Sequence, residues 1–77
     1  MQIQWREHIN SDPKIMFGKP VIKGTRIPVD LILEKLAAGE TQAQLLSAYT
    51  SISAADISAC LQFASESVKS EIIHKVA

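Results

Sequence analysis

One cysteine, four aromatic residues, three glycines and three prolines are all that this 77-residue chain holds of those types. A single thiol excludes an internal disulfide and fits a reducing compartment. The longest apolar runs fall far short of the roughly 20 residues a spanning helix needs. The amino terminus also lacks the charged-then-apolar layout of a signal peptide, so a soluble cytoplasmic protein is expected. No repeat or low-complexity tract is visible, and the length allows one domain, residues 1–77.

Charge is absent only as a sum. Formal net charge is zero, yet residues 1–29 carry five cationic side chains against two carboxylates and residues 30–77 carry three against six. The amino-terminal part is thus basic and the remainder acidic, which permits a basic face toward nucleic acid or an acidic partner. Apolar residues make up 47% of the chain. A chain this short buries only about 60% of the surface it exposes when unfolded, so a lone core is marginal and burial against a second copy or another protein is expected.

The chain is organised around Gly18 to Val29, GKPVIKGTRIPV, which holds two of the three glycines, two of the three prolines, three cations and no carboxylate. Gly18 and Gly24 permit positive φ, Pro20 and Pro28 fix φ and remove donors, and Val21, Ile22 and Ile27 favour extended backbone. The stretch reads as short strands joined by tight turns that present Lys19, Lys23 and Arg26.

Before it, Ile3, Trp5 and Ile9 fall on alternate positions, a strand pattern interrupted at Glu7. Asn10 to Pro13 form a turn cluster, and Lys14 to Phe17 read as a second short strand. Residues 1–27 are accordingly expected to be an extended arm or small sheet.

From Pro28 the period changes. Val29, Ile32, Leu33, Leu36 and Ala37 lie at i, i+3, i+4, i+7 and i+8, predicting a helix over 28–38 that ends at a left-handed Gly39. Thr41 with Gln44 matches a capping box, followed by Leu45, Leu46 and Tyr49 as the core face of a short second helix. Ser53 with Asp56 forms a second box and opens a third helix, with Ile57, Cys60, Leu61, Ala64 and Val68 at helical spacing, running to Ile72 or beyond. Residues 28–77 thus predict a tri-helical unit with a helix-turn-helix outline. The fold class is α+β and mostly helical.

The run DPKIMFGKPVIKGTRIPVDLILEKLAAGETQAQLLSAYTSISAADISACLQFA resembles the domain of unknown function 433 family. It carries that family's P-x-I-x-x-G-K-P-x-I-x-G-T-R-I-x-V signature, then a helix ending in glycine, then two short helices with hydroxyl caps; the match runs from about Ile9 to Ala64. The resemblance implies a homeodomain-like tri-helical part and, because members are often encoded beside a PIN-like nuclease, a role as a type II antitoxin. The tail from Ser65 to Ala77 carries no family pattern and is expected to be the partner-specific part.

Lys19, Lys23 and Arg26 are the candidate contacts to nucleic acid or an acidic partner, Arg26 first, because a guanidinium forks onto phosphate or carboxylate. The competing structural reading has Gly24, Thr25 and Arg26 as a turn whose arginine bonds helix carbonyls or an acid such as Asp30. The first turn of the third helix offers Ser53, Ala54, Ala55, Asp56 and Ser58, with no side chain suited to reading bases, so DNA contact is expected through the basic arm. Trp5 and Phe17 are the candidate anchors of a dimer or partner interface, Trp5 because a large aromatic near the terminus has few local neighbours.

Catalysis finds little support. His8 and His74 sit at opposite ends, Cys60 lies on an apolar helix face, and Asp12, Asp30 and Asp56 are spread through caps and turns. GKPVIKGT lacks the order of a phosphate loop. No enzyme, cofactor or metal is expected. The reading expected from the resemblance is an antitoxin that binds a PIN-like ribonuclease, associates as a homodimer and, as a second activity, contacts operator DNA; the alternatives are a stand-alone DNA-binding regulator and a non-catalytic interaction module.

Overall fold

The computed structural model describes residues 4–76, with side chains to residue 69. Three helices, α1 (Val29–Ala37), α2 (Gln42–Ala48) and α3 (Ala54–Val76), follow a two-stranded antiparallel sheet of β1 (Ile9–Asn10) and β2 (Val21–Ile22). Ile9 pairs with Ile22 and Asn10 with Val21. On the other side of β2 the chain returns: Val21 bridges to Pro28, the Ile22 amide donates to the Ile27 carbonyl, and the Val29 amide donates to the Pro20 carbonyl. The breaker-rich segment is therefore a hairpin whose second arm leads into α1.

Each helix begins and ends where local chemistry requires. Pro28 is the extended residue before α1 rather than its first helical residue. At the other end Gly39 takes φ +97, the Gly39 amide bonds the Leu36 carbonyl and the Glu40 amide bonds the Lys35 carbonyl. This paired arrangement ties off the carbonyls that the last turn leaves free. For α2, the Thr41 hydroxyl accepts from the Gln44 amide at 3.1 Å and the Gln44 side chain accepts from the Thr41 amide at 2.7 Å. Ser53 and Asp56 repeat the device at α3, at 3.3 and 2.9 Å.

The core joins sheet to helices. Ile9, Ile22, Val29, Ile32, Leu45, Ile52, Ile57, Ala59 and Cys60 are buried together, with Trp5, Ile27, Leu33, Leu36, Leu46, Tyr49 and Phe63 packed around them. At about 1.5–3 kcal/mol per fully buried large aliphatic side chain, this cluster is the main stabilising term.

Four expectations are corrected. Trp5–Glu7 is a 3₁₀ turn, not part of a strand, because the Trp5 ring turns onto α3; the Ile3 end of that expectation lies outside the described residues. Lys14 to Phe17 is not a strand either: Met16, Phe17 and Gly18 all have positive φ and form a left-handed turn. Ala37 is exposed at the last position of α1. Leu61 and Val68, placed on the core face by spacing, are half exposed, at 50% and 52%, because α3 turns Ala59, Cys60 and Phe63 inward instead.

Candidate functional site

Thr25 builds the turn at the hairpin tip. Its hydroxyl donates to the Ile22 carbonyl at 2.7 Å and accepts from the Ile27 amide at 3.0 Å, while its amide also bonds the Ile22 carbonyl. Gly24 sits at the third turn position with φ +81, which a side chain disfavours. Both flanking cations, Lys23 and Arg26, are exposed.

The three sequence-selected cations do not share one state. Lys19 Nζ lies 2.9 Å from Asp30 Oδ2, with both side chains about half exposed. That hydrogen bond, with help from backbone amides in the first turn of α1, holds the Asp30 carboxyl below its usual range. It is thus Lys19, rather than Arg26, that pairs with Asp30. Lys23 and Arg26 make no ion pair among the described residues.

Beside the turn is a cleft of about 410 Å³ lined by Asn10, Ile15, Val21, Gly24, Thr25 and Arg26. Asn10, Ile15 and Thr25 were not distinguished as site residues by sequence, since the cleft arises only when the Asp12–Gly18 loop folds beside the hairpin. That loop is well tied. Asp12 accepts from the Lys14 and Ile15 amides, and the Ser11 hydroxyl donates to the Gly18 carbonyl at 2.6 Å. At its tip Phe17 is fully exposed, with φ 57 and ψ 33. A left-handed conformation costs a non-glycine residue roughly 1–2 kcal/mol.

Trp5 has a different setting from Phe17. Its ring packs on Phe63 of α3 with centroids 4.9 Å apart, and the Arg6 guanidinium lies 4.4 Å from the Trp5 centroid. The Trp5 amide donates to Gln62 Oε1 at 3.2 Å and its indole N–H donates to the Glu66 carboxylate. Trp5 has few local neighbours, as expected near the terminus, and its contacts come from α3, 57 to 61 positions away in the same chain.

Other groups of chemical interest are structurally engaged. His8 Nδ1 meets Asp56 Oδ1 at 2.9 Å. Cys60 is wholly buried, and desolvation, with the Asp56 carboxylate adding to it, pushes its thiol up to about 11. Among the described residues no group of three or more His, Cys, Asp or Glu is placed to hold a metal ion, and no helix is long and apolar enough to cross a membrane.

The architecture is that of a small tri-helical domain opened by a sheet and a basic hairpin. Residues 9–64 match the model of the protein family of unknown function DUF433, and the chain belongs to that family. A crystal structure of a DUF433 member protein from Anabaena variabilis superposes with a TM-score of 0.76 at 24% identity, covering 91% of this chain and 69% of that one. The uncharacterized protein y4eO of Sinorhizobium fredii is 40% identical over 52 residues, which are 68% of this chain and 24% of y4eO. An uncharacterized protein of Archaeoglobus fulgidus is 71% identical over 24 residues, 31% of this chain and 67% of that protein. The match thus spans about a quarter of y4eO.

Proposed function

We propose that this protein is the antitoxin of a toxin–antitoxin pair and neutralises a PIN-like ribonuclease by covering its RNA-binding surface. The observation that carries this reading is on α3. Leu61 and Val68, seven residues apart on one helix face, leave apolar surface exposed in the acidic part of the chain. A surface that binds RNA is basic and presents aromatic and aliphatic surface between its cations, and the exposed Leu61 and Val68, on a helix with three carboxylates against two lysines, complement it chiefly in desolvation. The family resemblance, with members encoded beside PIN-like nucleases, points the same way.

Operator binding is the second activity, favoured by the exposed Lys23 and Arg26 at the hairpin tip, neither of which forms an ion pair among the described residues. The start of α3 is poorly suited to it, since Ser53 and Asp56 are spent on the cap. A single copy neutralises few phosphates and binds weakly; two copies double the count. This is a binding protein in both roles, with no catalytic step assigned to it. The reading requires a PIN-like nuclease gene beside this one, and co-expression with that nuclease tests it. Rescued growth and a co-purifying complex are expected, and failure of both removes the antitoxin role.

A further inference from the structure

Neither the nuclease nor the DNA reading uses the loop that carries Phe17. Its ring is fully exposed and its backbone is left-handed, a conformation in which a bulky side chain is a real outlier. Solvent-exposed aromatic surface and a left-handed backbone therefore coincide at one residue. The loop is not slack, because Asp12 and the Ser11–Gly18 bond hold both of its ends. Phe17 is a fixed projection. Two residues before it, Ile15 forms a wall of the cleft shared with Asn10, Val21, Thr25 and Arg26.

We propose that this face forms a two-fold homodimer in which Phe17 of each copy inserts into the cleft of the other. A projection and a recess side by side on one chain are self-complementary, and a two-fold axis between them fills both recesses without another partner. The cleft, at about 410 Å³ and open to solvent, can admit a phenyl ring from outside. Half-buried Ile15 supplies an apolar wall over the buried Val21, and Arg26, which also lines the cleft, can stack on the incoming ring as Arg6 does on Trp5 at 4.4 Å. In this arrangement Arg26 belongs to the dimer contact and Lys23 remains for other ligands.

Charge gives the proposal a distinctive signature. The two faces brought together are both basic, since Lys23 and Arg26 form no ion pair among the described residues. Added salt screens that repulsion and strengthens the dimer, whereas it weakens binding to DNA or to an acidic protein.

Sedimentation of the full chain alone, over a concentration series reaching about 1 mM at low and high salt, is the test. This measurement is independent of any nuclease, so its result leaves the antitoxin reading untouched. A dimer that tightens with salt is expected. Phe17→Gly, which suits the left-handed backbone, raises the dissociation constant by about 30-fold while leaving the melting temperature of the dilute protein unchanged or higher. In a mixed labelled and unlabelled sample, isotope-filtered contacts appear between the Phe17 ring and Ile15 methyls of different copies. A wild-type chain that stays monomeric overturns the proposal. So does a dimer that is unaffected by Phe17→Gly, that loosens with salt, or that is lost on Leu61→Glu instead.

Discussion

His8 and Asp56, 48 positions apart in sequence, meet at 2.9 Å through Nδ1 and Oδ1, while the other Asp56 oxygen accepts the Ser53 amide at 2.9 Å. One carboxylate thus caps α3 and fastens it to the segment entering β1. The same His8 carbonyl accepts the Lys23 amide at 2.8 Å, extending the connection to the hairpin. His8→Ala is expected to cost about 1–2 kcal/mol. Asp56→Ala costs more, about 2–3 kcal/mol, because the cap is lost with the contact. Denaturant unfolding of the two single variants and the double variant checks this; a coupling energy above about 0.5 kcal/mol is expected.

Cys60 makes folding sensitive to alkali. Its folded thiol keeps its proton to about pH 11, whereas an unfolded thiol releases it near pH 8.5. Above that lower value the unfolded chain binds fewer protons than the folded one, so stability is fully present below about pH 8.5 and falls as pH rises toward 11. Melting temperature against pH measures this, and Cys60→Ala gives a flatter alkaline limb. A thiol reagent at neutral pH should label the native chain only as fast as it opens.

The Lys19–Asp30 pair is a tuning contact with little weight in stability. Both side chains are about half exposed, so Lys19→Ala should cost no more than about 0.5 kcal/mol, less in high salt. The depressed Asp30 carboxyl contributes stability above the ordinary carboxylate range and loses it as pH falls through its folded value. An NMR titration of Asp30 checks the cause: in Lys19→Ala its midpoint moves up toward the ordinary value.

The hairpin tip separates strain from contact. A Cβ at residue 24 would meet nothing within 4 Å, so Gly24→Ala is penalised by φ +81 alone, at about 1 kcal/mol. Thr25→Val removes the hydroxyl that donates to the Ile22 carbonyl and accepts from Ile27, for about 1–2 kcal/mol. Thermal unfolding of both variants ranks them.

What sequence revealed was mostly local. The caps at Thr41 and Ser53, the turn at Gly39 and the apolar face of α1 depend on neighbours within four residues, and their spacing is visible in the chain. The hairpin was legible because Gly24 and Pro28 restrict backbone on their own. Contacts across the fold were not. Trp5 finds α3 about 60 positions away, and His8 finds Asp56 without any periodic signal. Met16 and Phe17 carry no mark of their left-handed backbone, since residues of that type avoid it. On α3, apolar residues occupy two sides of the helix, so spacing alone could not separate the buried Cys60 from the exposed Leu61. For the basic set, sequence found the three cations but not that Asp30 engages Lys19 and leaves Lys23 and Arg26 open.

The central claim is that the exposed face of α3 binds a ribonuclease. Titration calorimetry of the purified chain against a PIN-like ribonuclease from an adjacent gene of its source genome, with wild type and with Leu61→Glu/Val68→Glu, tests it most directly. Both positions are about half exposed, so the double variant folds normally while its affinity falls at least about 100-fold, the equivalent of roughly 3 kcal/mol. Wild-type affinity retained by that variant, or no heat of binding from the wild type, contradicts the account.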